Sequence, residues 1–375
     1  MSVAIAAALL LTPALWDHVA ANPSSSDQGL PSSSAALDAQ KEVATDEPTS
    51  PPTTEAPTPT VDPEPVITTV TISAAGDCTF GLGIGFGYQG SFNDYFDKYG
   101  PEHVFKGVLP VFGADDYTIV NLEGPLTERG SPVPKTFNFR GPAKHAEALT
   151  AGSVDAVTLA NNHSMDYGEI GYEDTKVALD QVGITHFGYQ EVAVDQVKGI
   201  KIGLIGAEGW DDSAATRDSI AQKLADMDAD IKIVSFHWGI EREYHQSAGQ
   251  ISLAHHTIDS GADMVLGHHP HVLQGVEMYN DKPIVYSLGN FSFGGNQNPS
   301  DKDAMIFQAD FRFVDGVMSG IDSRIIPVSI SSQSGYNDYS PTILEGDAKE
   351  RVLQKVLNSS TNYTCCDPAT DPTAD

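Results

Sequence analysis

The sequence predicts an α/β fold for the chain beyond residue 65. Three observations carry this. β-Branched apolar runs recur along the chain, beginning with Val66-Ile67-Thr68-Thr69-Val70-Thr71-Ile72, and such residues fit the pleated surface of a strand. Turn residues rather than linkers separate these runs from helical stretches, so the roughly 300 residues read as one large domain rather than two small ones. Several runs also end in a carboxylate, an amide or an imidazole, at the carboxyl ends of strands where α/β proteins place their chemistry.

What precedes that domain has a different character. Residues 1–20 are apolar, with Val3 to Leu11 almost purely aliphatic. They read as an export signal or membrane anchor, although they lack a basic leading segment and are short for a span. Residues 21–65 are rich in Ser, Thr, Pro and acidic side chains. Such a segment cannot bury enough apolar surface to offset its ordering entropy, so it is expected to be a disordered stalk. Together they predict a protein at the extracellular face of the cell envelope, membrane-anchored or secreted. The cysteines form no disulfide framework. Cys365 and Cys366 are adjacent and Cys78 stands alone, in a strand position that alternates away from Asp77 and so reads as core. The net charge of −30 excludes binding to nucleic acid through a basic surface. A negatively charged substrate would have to meet local positive charge, and a metal ion is the obvious source.

Taken in order, Val66–Ala75 predicts a strand ending at Gly76-Asp77, and Gly81–Gly90 a glycine-rich mobile loop near the site. A short helix is expected over 104–112. Asp116–Glu123 predicts a second strand whose period-two alternation puts Asn121 and Glu123 on one face. Arg140 precedes a helix at 143–151, where its fork could receive an anionic substrate group; a structural ion pair is the other reading. Val154–Ala160 predicts a third strand, ending in Asn161-Asn162-His163. A helix at 168–182 and strands at 184–187 and 201–206 follow. Asp230–Gly239 is a strand carrying His237. The helix at 249–260 holds His255 and His256, read as surface or packing residues. The run 262–266 leads into Gly267-His268-His269-Pro270-His271. Lys282–Phe291 predicts one strand with Asn290 at its mouth-facing end, 304–313 and 316–328 complete the sheet, and a peripheral helix is expected over 342–357.

Three histidines within four positions at a strand tip are hard to explain by packing. In extended backbone His269 and His271 would leave on the same side. Neutral imidazole is the commonest protein metal ligand. Five strand-like runs end in suitable donors: Asp77, Glu123, Asn162 with His163, His237, and His269 with His271. Mixed carboxylate, amide and imidazole donors suit divalent manganese, zinc or iron. There are enough of them for one ion or two, and His163 is placed to face a substrate and move a proton.

These motifs, together with Leu159-Ala160-Asn161-Asn162-His163, His237-Trp238-Gly239 and Tyr286-Ser287-Leu288-Gly289-Asn290-Phe291, resemble the CapA-type capsule (poly-γ-glutamate) synthesis family. That family is similar in fold to calcineurin-like metallophosphoesterases. The resemblance covers about residues 70–330. It implies a four-layer α/β/β/α sandwich of metallophosphoesterase type over 66–330, followed by a C-terminal helix and polar tail over 331–375. By the same resemblance Asp77, Glu123, Asn162, His237, His269 and His271 are metal ligands and His163 is the proton donor; Arg140 and Asn290 are expected as substrate contacts from their own positions in the chain. Thr79 stands where the phosphoesterase pattern has a histidine, and Glu123 where it has a bridging aspartate. An extra residue in the last motif leaves His268 as the alternative to His269. The implied function is a metal-dependent hydrolase or transferase in synthesis or export of an anionic envelope polymer, with membrane polymer-synthesis subunits as partners. The alternatives are a metallophosphoesterase acting on a small phosphoester and a non-catalytic, metal-stabilised scaffold of a polymer-export complex.

Overall fold

The computed structural model describes residues 64–364. The expected signal or anchor at 1–20, the stalk up to residue 63, and Cys365 with Cys366 lie outside the described residues. Among the described residues no helix is long and apolar enough to cross a membrane.

The first half of the domain runs β1 (Ile67–Thr79), β2 (Leu82–Gly83), α1 (Phe92–Tyr99), α2 (Glu102–Phe105), α3 (Leu109–Phe112), β3 (Tyr117–Leu122) and β4 (Phe139–Arg140). A 3-10 turn at Ala143–Ala146 then leads into α4 (Glu147–Ala151), β5 (Ala156–Thr158), α5 (Gly168–Val182) and β6 (Thr185–Phe187). The second half runs β7 (Val192–Val197), β8 (Ile200–Gly209), α6 (Ala214–Asp226), β9 (Ile231–Trp238), α7 (Ala248–Asp259), β10 (Met264–His268), β11 (Val276–Tyr279) and β12 (Lys282–Val285). The chain closes with β13 (Asn290–Phe293), β14 (Asp303–Val314), β15 (Val317–Ser329), β16 (Thr342–Ile343) and α8 (Gly346–Leu357).

Two sheets result. One has the order β16-β15-β14-β1-β3-β5-β6, with β13 also pairing β1; the other has the order β11-β12-β10-β9-β8-β7. The central strands β1, β3, β5 and β6 are parallel, as are β8, β9, β10 and β12. Parallel strands need crossovers, and helices supply them. Consecutive residues then face opposite layers. Ile119, Leu204 and Ile233 enter the core between the two sheets with Val70, Ile72 and Leu266. Their neighbours Ile205 and Val234 turn the other way, against Ile220, Leu224, Leu253 and Ile258 of α6 and α7. On the far side, Val120, Leu122 and Val157 meet Phe105, Leu149 and Leu179 of α2, α4 and α5. The layers are therefore α/β/β/α, as the family resemblance implied. Burial on both faces explains why the strands read as continuous apolar runs.

The structure departs from the sequence reading in four places. The expected strand at 282–291 is two strands: β12 belongs to the second sheet, and β13 pairs in parallel with β1 of the first. The chain crosses between sheets at Tyr286–Gly289, where Gly289 adopts φ 71°. The helix expected over 104–112 is split into α2 and α3, with Pro110 in the first turn of the second. The helix expected from residue 342 begins at Gly346, because Thr342 and Ile343 pair with β15. That helix is also not peripheral in its packing, since Val352 and Val356 are fully buried in the inter-sheet core. Helices α1 and α6 and edge strand β7 had no sequence expectation. Strand β7 has a weak, half-exposed alternation, and α6 has a small apolar face, its buried residues being Ile220 and Leu224.

One close approach governs the crossing. A Cβ on Gly76 would lie 2.0 Å from the carbonyl oxygen of Gly289, closer than any real contact, and both partners are backbone. Gly76→Ala is expected to destabilise the domain by about 1–3 kcal/mol or more, the usual range for overpacking. A lowered denaturation midpoint at unchanged slope would show it.

Candidate metal centre

The carboxyl ends of the parallel strands of both sheets meet at one place. Asp77 lies near the end of β1, just past a register shift against β3 between Ala74 and Asp77. Such a bulge re-aims the side chain that follows it. Glu123 is the first residue beyond β3, and its backbone N–H donates to Cys78 O at 2.8 Å. His237 sits in β9 opposite His268, the last residue of β10. Asn162 and His163 belong to the turn after β5.

These side chains converge. Nδ1 of His271 is 3.0 Å from Oδ2 of Asp77, and its Nε2 is 3.8 Å from Oε1 of Glu123. The donor atoms of Asp77, Glu123 and His271 lie within 4.8 Å of one another. Nε2 of His237 is 3.8 Å from the same Glu123 oxygen and 3.1 Å from Oδ1 of Asn162. Nδ1 of His268 is 3.4 Å from Oδ1 of Asp77. The His269 ring lies 4.8 Å, centre to centre, from both His237 and Trp210. It pairs with no carboxylate among the described residues, whereas its backbone N–H reaches Asp77 Oδ2 at 3.3 Å.

His269 and His271 do come together, with ring centres 5.7 Å apart, but not through extended backbone. β10 ends at His268, and His269 and His271 have φ of 96° and 57°. Left-handed backbone at non-glycine residues costs of order 1–3 kcal/mol and collects at functional sites. The tight turn through Pro270, not strand alternation, aims the two rings.

Burial and close pairing shift the titration of most groups in the cluster. Asp77 and Glu123 are 0% and 1% exposed, and burial disfavours charge. For Asp77 the imidazoles of His268 and His271 overcome burial and hold the carboxyl well below its usual range. For Glu123 burial prevails over the attraction of His271, and the neighbouring charge of Asp77 pushes its carboxyl further up. Burial alone would depress His271, yet Glu123 and Asp77 raise it to about 9. Burial pulls His237 well down and brings His269 to about 4. Both Glu123 oxygens, Nδ1 of His237, both nitrogens of His268 and Nδ1 of His269 are buried without a hydrogen-bond partner. Orphaned buried donors cost free energy unless something satisfies them. So many lone-pair donors aimed into one space fit a divalent cation.

His163 stands beside this cluster. Its Nδ1 donates to Oδ2 of Asp166 at 2.8 Å, and its Nε2 lies 4.0 Å from Oε1 of Glu123. Lys135 pairs with Asp166 and donates to Asn162 O at 2.7 Å. Asn161 holds the turn, accepting from the His163 backbone N–H at 3.1 Å and donating to Leu122 O at 2.9 Å. Burial lowers the His163 imidazole, although the carboxylate of Asp166 opposes this.

The cluster opens onto a cleft of about 470 Å³ lined by His163, His271, Asn290, Phe139, Phe293, Glu241 and Arg242, among others. Asn290 sits opposite Asp77 in the β1–β13 pairing and donates to His271 O at 3.2 Å. Arg140 does not line this cleft. It stacks 4.4 Å over the Tyr167 ring in a separate recess. His255 pairs with Glu277 and stacks on Tyr279, outside the cluster. Sequence reasoning missed Lys135, Asp166 and Trp210. Asp166, three residues past His163, carried a local signal in that spacing; Lys135 and Trp210 arrive on distant loops and carried none.

Residues 71–295 match the family described as bacterial capsule synthesis protein PGA_cap. The PGA biosynthesis protein CapA of Bacillus subtilis (strain 168) is 32% identical over 224 residues, which is 52% of this chain and 58% of that protein. The capsule biosynthesis protein CapA of Bacillus anthracis is 27% identical over 294 residues, covering 71% of this chain and 68% of the relative. The chain thus spans less than two thirds of the first relative's length and just over two thirds of the second's. Among solved structures, a putative 5'-nucleotidase from Staphylococcus aureus aligns at 14% identity with a TM-score of 0.44, over 77% of this chain and 58% of that one. The family match takes in more than half of the chain and every residue of the cluster from Asp77 to Asn290, and the chain belongs to the bacterial capsule synthesis protein family PGA_cap.

Proposed function

We propose that this chain is a metal-dependent hydrolase or transferase of poly-γ-glutamate capsule synthesis, working at the outer face of the envelope beside the polymer-synthesis machinery. One observation carries the reading: a buried group of carboxylates and imidazoles, in which both Glu123 oxygens and nitrogens of His237, His268 and His269 have no hydrogen-bond partner, opens onto a cleft of substrate size. Asp77, Glu123 and His271 would form the heart of a site for one or two divalent ions of manganese, zinc or iron. His237, Asn162 and either His268 or His269 would complete it. His268 is favoured on the Asp77 side by its 3.4 Å approach, and His269 on the His237 side by its ring contact. Bound there, such an ion supplies Lewis acidity and an activated water near neutral pH.

The chain's own residues supply the rest. With its Nδ1 proton given to Asp166, His163 presents Nε2 toward the reacting group, where it holds or delivers a proton to the leaving atom. Asp166 fixes the tautomer, as a carboxylate behind a catalytic imidazole does. Lys135 pairs with Asp166 and ties it to the Asn162 backbone. Phe139, whose ring centre lies 4.6 Å from that of His163, shields the imidazole from water. Asn290 steadies the His271 loop through its hydrogen bond to the His271 carbonyl. Arg140 has no part in this proposal because it faces another recess.

His163→Ala is expected to lower turnover of a γ-glutamyl oligomer about 10²–10⁴-fold, the usual worth of a general acid, with metal content by elemental analysis unchanged. A capsule role retained in full by this variant would point to a scaffold, and turnover of a generic phosphodiester in place of the oligomer to a phosphoesterase. Metal binding should also release protons. With its pKa raised to about 9, His271 is protonated in the metal-free protein at pH 7, whereas a ligand must be neutral. Apparent metal affinity should therefore keep rising from pH 7 to about 9. The Glu123 carboxyl, raised to about 8, must also be ionised to ligate, so calorimetry in buffers of differing ionisation enthalpy should count about one to two protons released per site at pH 7.

A further inference from the structure

The cleft beside the cluster carries two charged side chains that the chemistry above leaves unused. Glu241 and Arg242 are neighbours in the turn after β9, both exposed, and both line the cleft. Neither side chain has an ion-pair or hydrogen-bond partner among the described residues. Five of the other six arginines are ion-paired, Arg129 with Asp174, Arg217 with Asp212, Arg312 with Asp322, Arg324 with Asp310 and Arg351 with Asp303, and the sixth, Arg140, is stacked on Tyr167. In a protein of net charge −30, a guanidinium left free at the mouth of a cleft is the exception.

Its backbone is held in place. Arg242 adopts φ 64°, a left-handed conformation that a non-glycine side chain seldom takes without support. The support is the loop of the candidate ligands, since the Arg242 N–H donates to Pro270 O at 2.8 Å, between His269 and His271. Gln274 pins the same turn by donating to Glu243 O at 2.8 Å and His245 O at 3.3 Å. The turn and the ligand loop are thereby tied into one unit, and the strained conformation fixes where the side chain leaves the backbone.

We infer that Arg242 is the residue that receives a substrate carboxylate, and that with Glu241 it selects a γ-linked glutamyl unit over a phosphoester; this rests on the function proposed above. A guanidinium fork matches a carboxylate with paired hydrogen bonds. Glu241 beside it accepts from an amide N–H and repels a polyanion that has no donor to offer. A γ-glutamyl unit brings both complements, a free α-carboxylate and an amide N–H, whereas a phosphodiester brings only the anion and inorganic phosphate brings neither a carboxylate nor an amide.

The test is equilibrium binding and steady-state turnover by the full-length, metal-containing protein. The probes are a defined γ-linked glutamate oligomer, its α-carboxamide counterpart and inorganic phosphate. For the wild type the expectation is that the acid oligomer binds tighter than the amide and than phosphate, with affinity falling as salt rises. Arg242→Gln should weaken binding of the acid oligomer about 10- to 100-fold, the worth of a charge-assisted hydrogen bond. It should raise KM while changing kcat little, leave the amide unaffected and flatten the salt dependence. Arg242→Lys should restore the charge and salt dependence but only part of the affinity, and both variants should keep the wild-type melting temperature. Equal binding of the acid oligomer by wild type and Arg242→Gln would overturn the inference while leaving the proposed function standing. Failure of the wild type to bind the oligomer at all would overturn both.

Discussion

The architecture depends on a single backbone contact between parts of the chain more than 200 residues apart. The N–H of Asp77 donates to the carbonyl of Gly289 at 2.9 Å, and the glycine before Asp77 leaves no Cβ to keep the two strands apart. At that contact the chain leaves the second sheet and joins the first. It fixes Asp77 against Asn290 and aligns the carboxyl ends of the two parallel sets. Side chains from β1, β3, β9 and β10 can then share one buried space, although more than 100 residues separate β3 from β9.

The convergence has an electrostatic cost that the surroundings contain. Two carboxylates are buried side by side, which would ordinarily force one to take up a proton. Asp77 escapes because the rings of His268 and His271 stand against it, and Glu123 does not. The −30 net charge bears on the site less than its size suggests. Many acidic groups of the described domain are tied to lysines and arginines at its surface, as where Asp303 holds both Arg351 and Lys355. The cleft itself presents imidazoles and an amide, with Arg242, unpaired among the described residues, standing beside the carboxylates of Glu241 and Asp301.

Much of this was legible in the primary structure, for a physical reason. Strands buried on both faces announce themselves as apolar runs, and polar residues at their carboxyl ends stand out because nothing in a core calls for them. Asp77, Glu123, His237 and the triple-histidine stretch were visible on those grounds, and the structure brings them together. The geometry of Gly267–His271 was not visible. Period-two alternation foresaw neighbouring rings, and the rings are neighbours, but a left-handed turn produces that outcome. Arg140 shows the opposite failure. A basic residue before a helix looked suited to an anion, yet only tertiary placement decides which recess it enters. Lys135 was overlooked because its place beside His163 depends on a loop whose path no local pattern specifies, whereas Asp166 lay within the local spacing of His163 and could have been found there. The strand expected over 282–291 failed for a similar reason: one apolar run can serve two sheets when a glycine lets it bend.

The late return of the chain to its first sheet has a bearing on how the domain is made. β1 finds its antiparallel neighbour in β14, with Ser73 bonded to Gln308 across a sequence separation of 235 residues. Everything between must be synthesised, and the second sheet threaded through, before the opening strand gains that edge. Such long-range closure is slow and leaves a bare strand edge waiting. A nascent chain of this kind is expected to stay unfolded until most of it has emerged, with the edge of β1 open to mispairing meanwhile.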